Sequence, residues 1–233
     1  APTNNLMRRA LERFGPWRVV QSASKLGSGN FGTVLPVEHY RTSERCAVKV
    51  EEPSKKRPRL PTEAAIYREL RGKPGFPKLR WYGQRDGALA LVLDLLGPSL
   101  RAVHRQAGGA LNVAALQHVG LQSLLRLETL HDLGWLHCDI KPANLLLPPS
   151  DSPIAINGWA CVGGADKAKE LGASVLPALS LIDFGLSQRW RDTRTGLHLP
   201  AAALPRRRAG VPLGDRAVCF AAQSFRRAVQ PPR

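Results

Sequence analysis

The stretch GSGNFGTVLPV, Gly27 to Val37, constrains the fold more than any other, because the residues after its glycine loop decide between two architectures. Gly27, Gly29 and Gly32 stand in G-x-G-x-x-G spacing. Glycines let a backbone approach phosphate oxygens closely and offer N–H donors with no side chain in the way. In a dinucleotide-binding fold such a loop opens a helix inside a βαβ unit. Here it runs into TVLPV, β-branched residues that read as a strand. The expectation is a glycine-tipped hairpin lying as a flap over a nucleotide.

The surrounding pattern extends this picture. RVVQSASKL before the glycines and RCAVKV after them are strand-like, and LALVLDLLGPSL reads as a buried strand ending in a Gly-Pro turn. TEAAIYREL is helical in composition, starting at a Thr62 cap or at Pro61. From Asn112 to Leu133 the residues Val113, Leu116, Val119, Leu121, Leu124, Leu127 and Leu130 recur at helical steps behind an Asn112 cap. A strand-rich first part followed by a helical one predicts an α+β chain of two lobes with a cleft between them. Residues 148–177, rich in Pro, Gly, Ala and Ser, and the Ala/Arg/Pro-rich tail from Ala201 carry no strong periodicity.

Chemistry-bearing residues fall in a fixed order along the chain. Alternation puts Ala47 and Lys49 on one face of their strand, under the glycine flap. A lysine held there needs a counter-charge, and Glu63 in the first helix is the candidate. HCDIKPAN then supplies Asp139, Lys141 and Asn144, and LIDFG supplies Asp183. Asn144 and Asp183 are two oxygen donors of the kind that suit Mg²⁺, which binds a few protein oxygens together with phosphates. Asp139 is placed to accept or orient the proton of an attacking hydroxyl, and Lys141 to neutralise charge on a phosphoryl group in flight.

With the glycine loop, Lys49, Glu63, Asp139, Lys141, Asn144 and Asp183 in this order, the sequence resembles the eukaryotic protein kinases. PRLPTEAAIY, GFPKLRWYG, LVLDLLGPSL and IDFGLSQRWRDTRTGLHLP are similar to the casein kinase 1 branch, with the vaccinia-related kinases as the nearest sister group. The resemblance covers residues 18–147 and 178–200. It implies a bilobal kinase-like fold: an extension at 1–17, a small β-rich N-lobe at 18–96, and a mainly helical, incomplete C-lobe at 97–200 with an insert at about 148–177. The remaining residues, 201–233, form a poorly matched tail. The resemblance also implies a serine/threonine kinase using ATP and Mg²⁺, with Asp139 as base and Lys141 assisting. Leu26, Gly27, Ser28, Gly29, Asn30, Phe31, Gly32 and Val34 would cover the phosphates, and Lys49, held by Glu63, would bind them. Leu93 would be the gatekeeper, and the backbone of Asp94 and Leu96 would bond adenine beside Ala47.

Four departures qualify the resemblance. Cys138 stands where many kinases carry an arginine that pairs with a phosphate on the activation segment, so its presence argues against phosphorylation-dependent activation rather than against catalysis. Asn144 and Asp183 are 183 − 144 = 39 residues apart, several times the family's short hairpin. Loop closure costs grow slowly with length, so an extruded loop is tolerable. A splice-derived insert or a retained intron fits the composition equally. After GLHLP the family phrase Gly-Thr-x-Arg-Tyr-Ala-Ser is echoed only by Phe220, Ala221 and Ala222, with Cys219 at the arginine and Arg206, Arg207 and Arg208 as its possible substitutes. The family's RRDDLE helix is absent, so the chain is expected to be a C-terminally truncated kinase, with a non-catalytic ATP- or partner-binding module as the alternative function.

Charge and cysteines bound the setting. The net charge is +16, and from Leu186 onward ten arginines face only Asp192 and Asp215. Such a field attracts acidic proteins, phosphates or nucleic acid. Acidic or phospho-primed protein substrates are the expected partners of a monomeric enzyme, without specific nucleic-acid binding or a membrane. Cys46, Cys138, Cys161 and Cys219 form no CxxC pair and read as buried free thiols of the cytoplasm or nucleus.

Overall fold

A computed structural model describes residues 13–20, 23–29, 32–51, 58–149, 178–192 and 194–199. Seven strands form one antiparallel sheet: β1 (Arg13–Phe14), β2 (Trp17–Val19), β3 (Gly27–Gly29), β4 (Gly32–His39), β5 (Arg45–Glu51), β6 (Leu79–Arg85) and β7 (Ala88–Asp94). Their order is β1-β2-β4-β5-β7-β6, with β3 paired to β4. The sheet therefore begins at Arg13, inside the stretch expected to be an extension.

The period of two sorts the sheet's side chains onto its faces. Cys46, Val48 and Val50 of β5 join Ala90 and Val92 of β7 in one cluster with Phe14, Trp17, Leu35 and Val37. Leu91 belongs to the other face, in the core shared with the helices. Register aligns Val34, Lys49 and Leu91 in one cross-strand row, and Pro36, Ala47 and Leu93 in the next.

Helix α1 (Leu60–Glu69) buries Leu60, Glu63, Ala64, Ile66 and Tyr67 and packs against β6 and β7. Pro61 sits in its first turn, where a missing N–H is tolerated, whereas Thr62 is not its cap. Arg59 precedes the helix without a side-chain capping bond. Helix α2 (Leu100–Gln106) is capped by Ser99, and α3 (Val113–Asp132) by Asn112, whose Oδ1 accepts from Ala115 N at 2.7 Å. Two short antiparallel pairs complete the order: β9 (Leu145–Leu146) with β10 (Ser180–Leu181), and β8 (Trp135–Leu136) with β11 (Gln188–Arg189). The whole is a mixed α+β arrangement.

The apolar stripe on α3 locates the helix but not its burial. Only Ala115, Arg126 and Leu130 of α3 are buried, while Val113, Leu116, Leu121 and Leu124 are exposed. Among the described residues no helix is long and apolar enough to cross a membrane. Residues 150–177 of the expected insert, the tail at 201–233, Cys161, Cys219, the triplet Arg206, Arg207 and Arg208, and Phe220, Ala221 and Ala222 lie outside the described residues.

Candidate active site

Strand β5 brings Lys49 to two carboxylates. Its Nζ bonds Glu63 Oε1 and, at 2.7 Å, Asp183 Oδ1. Glu63 comes from the first turn of α1 and Asp183 from the end of the β10 segment, so three separate parts of the chain meet at one ammonium. The Glu63 side chain is 1% exposed and that of Lys49 12%. Burial acts to lower the Lys49 pKa, but the charges of Glu63 and Asp183 outweigh it and raise it. Burial would likewise raise Asp183, yet the Lys49 charge and hydrogen bond hold it below the usual carboxylate range. Glu63, buried most deeply and beside a second carboxylate, is pushed up to about 7 despite Lys49. One cation shared by two carboxylates thus leaves Glu63 the easier to protonate.

Asp139 is held from three sides. Lys141 Nζ lies 2.7 Å from its Oδ2, and Asn144 Nδ2 donates to its carbonyl at 2.9 Å and to Oδ2 at 3.1 Å. The Asp139 N–H donates to His137 Nδ1 at 3.2 Å. That bond makes Nδ1 the acceptor, so Nε2 carries the proton it donates to Ile182 O at 2.9 Å. Burial lowers the His137 pKa, which keeps this neutral form. Ile182 N in turn donates to Asn144 O at 3.0 Å. The Asp139 loop and the Asp183 segment are therefore joined by two bonds one residue away from Asp183.

Two non-glycine residues in left-handed conformation mark the same place: Cys138 at φ +64° and Asp183 at φ +68°. Such backbone costs on the order of 1–3 kcal/mol and persists where surrounding structure fixes it. Behind Asp183, Phe184 is fully buried and meets Tyr67 edge-on at 4.9 Å and His137 at 5.3 Å. The packing of Phe184 and the His137 bond hold Asp183 towards Lys49.

The remaining site residues line the sheet. Val34, Ala47, Lys49 and Leu93 share one face through the two cross-strand rows. Gly27 pairs with Val34, and Gly29 with Gly32. Ser28 lies within β3, and Leu26, half exposed, donates its N–H to Val34 O at 3.0 Å. Asn30 and Phe31, at the hairpin tip, lie outside the described residues. Gly32 has φ +124°, and a Cβ there would meet Val50 O at 2.2 Å, so only glycine fits. A Cβ at Gly27 meets nothing within 4 Å, so the protein's own packing does not demand glycine there. Leu96 lies just past the end of β7, while the Asp94 amide donates to Lys78 O at 3.2 Å. The chain then crosses to the Asp139 loop through Gly97 N, which donates to Leu147 O at 2.9 Å.

The protein kinase domain family matches residues 20–201 of this sequence. The chain belongs to that family. The candidate site residues, from Leu26 to Asp183, all fall within the matched span. Among the described residues no three His, Cys, Asp or Glu side chains cluster as a metal cage. The Asp183 carboxylate and the Asn144 amide oxygen, whose Nδ2 is turned to Asp139, instead make a two-oxygen set. That set fits Mg²⁺, which takes few protein oxygens and leaves the rest of its coordination to water and phosphate. Two contributors are not among the residues singled out from the sequence. His137 was findable from its place two residues before Asp139, and buried Glu51 from alternation, which sets it on the Lys49 face of β5.

Proposed function

We propose that this kinase transfers the γ-phosphate of ATP to serine or threonine hydroxyls of acidic or phospho-primed proteins, in the manner of casein kinase 1. The carrying observation is the meeting of Lys49, Glu63 and Asp183 alongside an Asp139 fixed by Lys141, Asn144 and His137. The two-lobed arrangement with a cleft, expected from the sequence, is part of the same proposal.

In this mechanism adenine lies against Ala47 and Val34 under the β3–β4 hairpin, with Leu93 at its inner edge. Lys49 binds the α- and β-phosphates, and Glu63 keeps its ammonium aimed. Asn144 and Asp183 would hold Mg²⁺, which when bound neutralises phosphate charge. Asp139 accepts a hydrogen bond from the substrate hydroxyl and orients it for in-line attack. Lys141, 2.7 Å from Asp139, offsets charge on the phosphoryl group as it moves. Because Cys138 replaces the phosphate-binding arginine, activity is expected without prior phosphorylation of the activation segment. The serine/threonine and acidic preferences rest on the casein kinase 1 resemblance and the +16 charge. Cys46 and Cys138, buried and outside any disulfide, suit the cytoplasm or nucleus.

Labelled γ-phosphate transfer to an acidic serine-containing peptide, compared with its alanine-neutralised twin, tests this proposal. The expected result is phosphoserine with at least about a tenfold preference for the acidic peptide, the size of one good charge-assisted contact. Equal labelling of both would remove the casein kinase 1 specificity. ATP binding without transfer would favour a non-catalytic binding module.

A further inference from the structure

The Glu51 carboxyl group is fully buried, and it lies outside the set of groups that act on nucleotide or substrate. Glu51 ends β5, two residues beyond Lys49 and on the same face. Its Oε2 accepts from Arg59 N at 2.7 Å and from Leu60 N at 3.1 Å, the amides of the N-cap residue and of the first residue of α1. Those N–H groups lack partners within their own helix, and Arg59 offers no side-chain cap. A carboxylate at a helix N-terminus is also favoured by the helix dipole. The end of one strand therefore grips the start of the helix that carries Glu63. From Leu60 to Glu63 is three residues, about 4.5 Å of helix rise, so the grip acts within one turn of the Lys49 contact.

We propose that Glu51 is a positioning residue: by capping α1 from β5, it fixes where Glu63 stands relative to Lys49. Strand and helix are then joined at two points, Glu51 to the Arg59 and Leu60 amides and Lys49 to Glu63. With both in place, the Lys49–Glu63 pair is set by the fold itself. The proposal rests on the kinase mechanism for its catalytic consequence, but its geometric content concerns the protein without nucleotide.

The test tracks Lys49 with an amine-acylating reagent and mass spectrometry, without ATP, in parallel with kcat/KM for ATP. Glu51→Leu keeps volume but removes the acceptor. It is expected to raise Lys49 labelling several-fold and to lower kcat/KM by on the order of ten- to a hundredfold, the scale of a displaced positioning group. Glu51→Gln keeps an acceptor oxygen and should restore both to within about threefold, an amide-for-carboxylate loss. In a Glu63→Gln background, Glu51→Leu should add nothing to either readout, since both act through one contact. If Glu51→Leu does not fold, Glu51→Asp, which retains charge but draws the acceptor back, should show the same rise in labelling. A lower Tm with wild-type labelling and kcat/KM in the folded Leu or Asp variant would overturn the proposal, as would additive effects with Glu63→Gln. Loss of phosphate transfer in the wild type, with the labelling pattern as expected, would instead break the kinase mechanism and leave the positioning role standing.

Discussion

Strand β5 and helix α3 are both marked in the sequence by apolar periodicity, yet the structure treats them differently. In β5 the alternation is matched by burial: Cys46, Val48 and Val50 are 1%, 0% and 6% exposed, while Ala47 and Lys49 turn to the other face. In α3 the seven-residue stripe includes one buried residue, Leu130, and Leu124 is 66% exposed. A strand pattern reports burial because its partners, β4 and β7, are fixed on both sides by register. A helical stripe reports which face is apolar, not whether a surface lies against it. Capping divides the same way, since Asn112 caps α3 locally whereas α1 depends on Glu51 from another element.

The largest expected effect lies on the β5 side. Lys49→Met removes the ammonium that bonds both Glu63 and Asp183, and breaking a buried ion group this way typically costs about 3–5 kcal/mol. The loss should be greater at pH 8 than at pH 6, because the stranded carboxylates can protonate at the lower pH; urea titrations at both values check this. Where the sheet faces the helices, Leu91→Ala should cost about 2–5 kcal/mol, whereas Leu124→Ala on α3 should stay within about 0.5 kcal/mol. Equal costs at the two leucines would erase the contrast between the regions.

A pH effect sharpens the comparison within the ion group. Glu63 has a folded pKa raised to about 7, so its stabilising proton uptake is complete below its unfolded value and is lost as pH rises through about 7. Asp183 is shifted the other way: its stabilisation is present above its unfolded value and lost as pH falls through the lower folded one. Between pH 8 and 6 the Glu63 contribution to stability therefore rises while its charge opposite Lys49 disappears. kcat/KM for ATP should fall with an apparent midpoint near 7 as the Glu63 contribution to thermal stability increases, and Glu63→Gln should abolish that midpoint. The smallest effect is on the α3 surface: Leu116→Gln with Leu124→Gln should reduce fluorescence of a bound hydrophobic dye and leave kcat unchanged.

Much of this arrangement was legible from residue type and order. Lys49, Asp139, Asn144 and Asp183 are marked by motifs whose chemistry needs those side chains, and Gly32 by a hairpin that excludes a Cβ. Glu63 could be named as a counter-charge because a buried lysine requires one. Other elements left weak traces. β6, LRWYGQR, shows little alternation because most of its residues are only half buried. The start of α1 was ambiguous between Thr62 and Pro61 because its cap is Glu51, supplied from eight residues before Arg59 and invisible to local capping rules. The left-handed backbone at Cys138 has no signature in residue type, and at Asp183 only the weak one that Asp tolerates positive φ. It is imposed by the His137 and Phe184 packing around it.

The most direct measurement separates binding from chemistry: ATP affinity and a single turnover of γ-phosphate transfer, in wild type, Lys49→Met and Asp139→Asn. The proposed mechanism gives Lys49 the phosphates and Asp139 the hydroxyl. Asp139→Asn should therefore bind ATP as wild type does while transferring about 10²–10⁴-fold more slowly, and Lys49→Met should lose both affinity and transfer. Wild-type transfer rates in Asp139→Asn would contradict the account at its centre.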